Sequence, residues 1–155
     1  MSNHQSPLRE ELKNMTTYQE LKTKYSNNIN LIMEEQKVFW AFSQKQLEEG
    51  KEKIGVKDNS QLISIGMGGF CPRANANELS RLMKIEDARY QKELKEAKEA
   101  KEQAILYELN NHECFYQGNG LEDVISIFSG VYTSKDVMAV FKKYSKRNNT
   151  DYANE

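Results

Sequence analysis

The residues best equipped for chemistry gather in Tyr107-Glu108-Leu109-Asn110-Asn111-His112-Glu113-Cys114, where a long charged helical stretch runs out. Glu108 and His112 stand four apart and so share a face if the helix reaches that far. With Cys114 close behind and Cys71 as the chain's other thiol, Cys71, Glu108, His112 and Cys114 form a chemically reasonable zinc set, because zinc takes thiolate, imidazole and carboxylate ligands. The spacing argues the other way. No Cys-x-x-Cys or His-x-x-x-His pair holds two ligands together, and a histidine finishing a helix is already favoured by the helix dipole. Hydrolytic chemistry is weaker still. His112 and Cys114 as a dyad lack an orienting partner and an oxyanion hole, and Glu108 with Glu113 is the kind of carboxylate pair that helix surfaces carry routinely. The expectation is a non-enzymatic protein with no cofactor and no resident metal.

A second candidate is Gly66-Met67-Gly68-Gly69-Phe70 followed by Arg73. Placed after a strand and before a helix, it has the order of a phosphate loop. It lacks the Walker lysine–hydroxyl pair and the dinucleotide glycine spacing, and a bare glycine cluster more often marks a tight turn or bulge. Backbone N–H groups there can still hold an anion, helped by Arg73. Gly68, Gly69, Arg73, Asn111 and His112 are therefore the candidate residues of a small-ligand site for a nucleotide or similar anion, provided the glycine loop meets the end of the long helix. The basic cluster Lys142, Lys143, Lys146 and Arg147, with Phe141 and Tyr144, reads as a solvated helix end rather than a nucleic-acid surface, since bases complement a helix C-terminus. Phe141 and Tyr144 fall at apolar-face spacing and read as core, as do Trp40 and its neighbours.

These elements must be positioned by a modest fold. At 155 residues, one domain is the natural expectation, at 17–145 between tails 1–16 and 146–155. Charged residues at 29% and a net charge of −1 give no global attraction to nucleic acid or anionic membrane. Two cysteines are too few for a disulfide scaffold, and the N-terminal stretch has no apolar core of a signal peptide. No apolar run approaches the roughly twenty residues of a membrane span. The expected compartment is the cytoplasm.

Apolar positions Tyr18, Leu21, Tyr25, Ile29 and Ile32 or Met33 mark an amphipathic helix from Thr17. Lys37-Val38-Phe39-Trp40-Ala41-Phe42 reads as a buried strand, and Ser43 with Gln46 as a capping box opening a short helix that stops before Gly55. Gln61 to Ile65 reads as a second strand. Asn75 with Glu78 caps a helix of roughly thirty residues reaching Asn110 or Asn111, its Lys-Glu middle favouring helix strongly. Arg89–Glu93, Lys92–Glu96, Lys95–Glu99 and Lys98–Glu102 are its i,i+4 pairs. Residues 114–117 read as a third strand, 121–128 as a short helix, and Ser134 as the cap of the last helix. The expected fold is α+β and mostly helical, a small antiparallel sheet (37–42, 61–65, 114–117) packed on helices with one long charged helix projecting.

Val38-Phe39-Trp40-Ala41-Phe42-Ser43 with Gln46 and Gly50, then Ile65 to Phe70, then Tyr107 to Glu113, resemble in this order a family of small uncharacterised proteins of bacteriophages and bacterial mobile elements. The resemblance covers roughly residues 18 to 128. It implies no particular activity. By analogy it implies a protein that binds and inhibits or modulates a host protein, a bacterial antiviral defence system being one such target. The expected contact surface is the long helix, chiefly Arg89, Lys92, Glu96 and Lys98. A second copy of the chain is a further candidate partner, although the helix has too few apolar positions for a heptad seam.

Overall fold

The computed structural model describes residues 16–117 and 119–153, with side chains described up to Ser145, Gln117 excepted. The expected N-terminal tail lies outside these residues except for Thr16. So do Gly118, Asn154 and Glu155, and the side chains of Lys146 and Arg147. In chain order the elements are α1 (Thr17–Glu35), β1 (Phe39–Trp40), α2 (Gln44–Ile54), β2 (Leu62–Gly66), β3 (Gly69–Pro72), α3 (Ala76–Glu96), α4 (Lys101–Asn111), α5 (Cys114–Gln117), α6 (Leu121–Ile127) and α7 (Ser134–Ala153), with 3₁₀ turns at 59–61, 73–75 and 98–100. The protein is α+β and mostly helical, with a three-stranded antiparallel sheet in the order β1-β3-β2. Among the described residues no helix is long and apolar enough to cross a membrane.

Contacts divide the chain into two compact units, residues 24–89 and residues 1–23 with 90–155. In the 24–89 unit, α1 ends in a motif usually closed by glycine. Lys37 takes the left-handed conformation at φ 60°, its N–H reaches the Glu34 carbonyl at 3.1 Å, and the Val38 N–H reaches that of Met33 at 2.9 Å. The Ser43 cap forms as the spacing predicts, with Gln46 reaching back to the residue before the cap. Ser43 Oγ accepts from the Gln46 N–H at 3.2 Å and Gln46 Oε1 accepts from the Phe42 N–H at 2.7 Å. Helix α2 then closes at Gly55, φ 76°.

The sheet corrects the expected strand set. Its third strand is Gly69–Pro72, whereas 114–117 is a single helical turn, α5. The reason is local. Met67 and Gly68 both take positive φ, 53° and 83°, the requirement of a tight two-residue hairpin, so the glycine stretch turns one strand straight back on another instead of leading into a helix. β3 pairs Gly69 with Trp40 and Phe70 with both Phe39 and Ser64. Phe39 stacks on Phe70 at 5.8 Å between centroids and lies against α2, where a Cβ on Gly50 would come within 2.2 Å of its ring. Only glycine fits there.

The expected thirty-residue helix is two helices, the first beginning in the 24–89 unit and the break falling after residue 90. α3 stops at Glu96, and Ala97 leaves the helical region at φ −83°, ψ 65° before a 3₁₀ turn leads into α4. The break turns Ala100, Ala104, Ile105 and Leu109 into a core with Tyr18, Leu94, Val124, Phe128 and Val137, burial that outweighs the helix preference of the Lys-Glu tract. The expected Lys92–Glu96 pair stands at 4.0 Å. Glu102 accepts instead from Lys143 and Tyr144, each at 2.7 Å. The last helix is capped one residue earlier than expected, by Thr133. The Thr133 N–H reaches Asp136 Oδ2 at 2.9 Å and the Asp136 N–H reaches Thr133 Oγ1 at 3.1 Å. Lys101 pairs with the same carboxylate at 2.8 Å.

Two outcomes follow for stability. Gly50→Ala should cost about 1–3 kcal/mol in urea denaturation, because Phe39 must leave its seat; an unchanged midpoint would mean that the ring moves freely. The Lys101 ammonium and the Thr133 N–H hold the Asp136 carboxyl below the usual carboxylate range. A folded-state value below the unfolded one contributes stability above the ordinary carboxyl pKa of about 3.9, and that contribution is lost as pH falls through the folded value. The stability gap between wild type and Asp136→Asn should therefore be widest at neutral pH and close on acidification; a gap that is constant with pH contradicts this.

Candidate functional site

The stretch richest in chemistry becomes the end of α4. Glu108 projects into the core of its unit and is 1% exposed. A carboxylate so buried must be paired. Its Oε1 accepts from the Tyr18 hydroxyl at 2.9 Å and from Lys22 Nζ at 2.6 Å, both supplied by α1 some ninety residues away in sequence. Lys22 also lies over the rings of Tyr107 and Tyr18, at 5.3 and 5.8 Å from their centroids. Burial, then the neighbouring Tyr90 and Glu108, pushes the Tyr18 phenol far above its usual range, so Tyr18 stays a donor at every physiological pH. His112 caps α4 and does share a face with Glu108. Its Nε2 stands 3.6 Å from Oε2, beyond hydrogen-bond length and an ion pair only when the imidazole is protonated.

A general acid or base must reach a substrate proton. Glu108 is enclosed and its Oε1 already accepts two donors, so this network holds the unit together rather than offering a reacting group. Cys71 and Cys114 are buried, and burial raises both thiols, with Asp123 adding to the rise at Cys114. That disfavours the thiolate a metal or an electrophile requires. Among the described residues no three His, Cys, Asp or Glu side chains gather as a metal site needs. Cys71 belongs to the 24–89 unit and Glu108, His112 and Cys114 to the other.

The remaining sequence-derived residues fall as follows. Gly68, Gly69 and Arg73 lie in the 24–89 unit, Asn111 and His112 in the other. Arg73 donates from Nε to the Ser60 carbonyl at 3.1 Å and from Nη2 to that of Leu62 at 3.2 Å. Arg89 is drawn back onto Glu86, which also accepts from Asn28 at 2.9 Å. Lys92 and Glu96 are exposed partners on α3, and Lys98 sits in the 3₁₀ turn.

What sequence reasoning missed is the return strand β3 and the rings left exposed beside it. Trp40 and Phe42 were expected in the core and are instead 49% and 76% exposed, beside Ile65 at 39% and Met67 at 93%. The two rings lie on glycine backbone. A Cβ on Gly68 would come within 2.3 Å of Phe42, and one on Gly69 within 2.6 Å of Trp40 and 2.8 Å of Ile65. The glycines thus seat aromatic rings, as edge glycines do when an aromatic side chain covers them. One sheet face packs on α2 through Phe39, and the opposite face presents Trp40, Phe42 and Ile65 with Met67 at the turn. The signal was available in the run itself. Strand alternation puts Trp40 and Phe42 on the face opposite Phe39 and Ala41, so burial of one pair does not bury the other.

Residues 17–147 match the model of a family of unknown function, DUF7659. The chain belongs to that family. The match continues past residue 128, where the sequence resemblance stopped, and takes in the capped start of α7, so the DUF7659 region includes the helix that closes the buried core. No curated protein and no solved structure shows significant similarity to the chain.

Removing the carboxylate tests the structural role of the Glu108 network. Glu108→Ala leaves Tyr18 and Lys22 without their acceptor and should cost about 3 kcal/mol, the low end for a broken buried pair because Lys22 can turn to water. Tyr18→Phe should cost less, about 1–3 kcal/mol for one bond to a charged acceptor. Chemical denaturation reads both, and a loss near zero for Glu108→Ala would show that the network does not hold the fold.

Proposed function

We propose that the protein is a non-enzymatic binding protein that docks a host protein through the open aromatic face of its sheet and inhibits or modulates that protein. The observation carrying this reading is the exposed set Trp40, Phe42, Ile65 and Met67, held in place by rings seated on Gly68 and Gly69. Clustered exposed apolar side chains mark interaction sites, and aromatic residues and Met are the types enriched at protein interfaces. Rings fixed before binding lose little rotamer freedom on docking, which favours affinity. The phage-type setting, a bacterial host cytoplasm and a defence system as target rest on the sequence resemblance. The charged positions Arg89, Lys92, Glu96 and Lys98 are the competing surface within the same reading. Arg89, already bound to Glu86, is the least available of them.

The test separates the two surfaces. Wild type, a Phe42→Ser/Met67→Ser variant and a Lys92→Glu/Lys98→Glu variant are immobilised, and host-cell protein is passed over each. Both substituted pairs are exposed, so each fold should survive, checked by circular dichroism. A host protein retained by wild type and by the charge-reversed variant, and at least tenfold depleted on the hairpin variant, is the expected result. Equal retention on the hairpin variant sinks the aromatic-face reading.

A further inference from the structure

The 24–89 unit holds a second feature that protein docking does not use. An open groove of about 640 Å³ is lined by Lys37, Ser60, Arg73 and Asn75 on its polar side and by Ile54, Val56 and Pro72 on its apolar side. No carboxylate lines it, although the chain as a whole carries a net charge of −1. The two cations are held differently. The Arg73 guanidinium is fixed in plane by the Ser60 and Leu62 carbonyls, which occupy Nε and Nη2 and leave Nη1 uncommitted. Lys37 has no ion-pair partner among the described residues, and it occupies a left-handed position where glycine or asparagine is usual. Asn75 donates Nδ2 to the Gln36 carbonyl at 3.0 Å, which leaves its amide oxygen able to accept.

We infer that this groove binds a phosphate monoester carrying a flat apolar body, its phosphate held between Lys37 and Arg73 and its body against Ile54, Val56 and Pro72. The volume is that of a small-molecule site, and such sites pair an apolar lining with a few fixed polar groups. A pre-oriented guanidinium beside a free ammonium suits a dianionic phosphate better than a neutral ligand, since charge-assisted bonds to phosphate are the stronger class. The inference does not depend on the protein-binding reading.

The experiment is a titration of ¹⁵N-labelled full-length protein with AMP, adenosine and inorganic phosphate, following amide shifts. AMP should shift Lys37, Ser60, Arg73 and Asn75 saturably, with both fragments at least tenfold weaker. Lys37→Asn removes the charge while suiting the left-handed backbone, and should raise the Kd for AMP about threefold or more, whereas Lys45→Gln, at an exposed lysine elsewhere, should leave it unchanged. Absence of saturable shifts, adenosine or phosphate matching AMP, or equal effects of the two lysine variants would each overturn the inference.

Discussion

Glu108 is the constraint around which the residue 1–23 and 90–155 unit is built. A carboxylate at the centre of an apolar cluster is tolerable only if donors reach it, and both donors to Oε1 come from α1. That requirement fixes the rotation of α1 about its own axis. Tyr18 must point inward with its hydroxyl at the carboxylate, and Lys22, one turn on, must fold its stem along Tyr18 and Tyr107. Apolar burial alone would allow several neighbouring rotations of α1 at similar energy. The buried polar group selects one of them, and it does so through residues distant in sequence.

The 24–89 unit solves a different problem, the hairpin end of a small sheet. Phe39 packs on α2 and needs Gly50 to do so, while the opposite face is covered at Cys71 and open toward the turn. Trp40 and Phe42 are left on the other face, where they cover Gly68 and Gly69 rather than being covered themselves. The same glycines that permit the tight turn also permit the rings to lie flat on the backbone. Turn chemistry and surface chemistry are therefore one device, and a side chain at Gly68 or Gly69 would disturb both.

Much of this was legible. Periodicity placed the start of α1 at Thr17, and the Ser43–Gln46 and Gly55 signals placed both ends of α2, because these features are local and the competing conformations are poor. The α+β class followed from the same signals. Two errors share one cause, a local signal overridden by packing, and a third, at the glycine cluster, is itself local. The Lys-Glu tract favours helix throughout, yet the chain breaks at Ala97 so that Ala104 and Ile105 can be buried. Cys114-Phe115-Tyr116 has strand composition but forms a helical turn beside that core. The glycine cluster has the order of a phosphate loop until β3 is recognised, and β3 is only four residues long, two of them glycine and proline. At the candidate sites, Glu108 and His112 were correctly paired on one face. The partners of Glu108, Tyr18 and Lys22, could not be inferred, because no local pattern links positions so far apart.

The sheet's edge bears on how its exposed side chains can be used. β2 is an edge strand, Leu62-Ile63-Ser64-Ile65-Gly66, with neither a charge nor a proline to discourage pairing with another chain. Two features blunt it. A register irregularity between Ser64 and Gly66 interrupts the ladder toward the turn, and Arg73 occupies the Leu62 carbonyl at the base. What remains between them is too short to template an added strand. In the proposed docking, a partner would therefore meet the face where Trp40, Phe42 and Ile65 stand, and its recognition would depend on side-chain shape instead of on main-chain pairing. A face of that kind discriminates between partners, whereas an open edge would accept any extended chain.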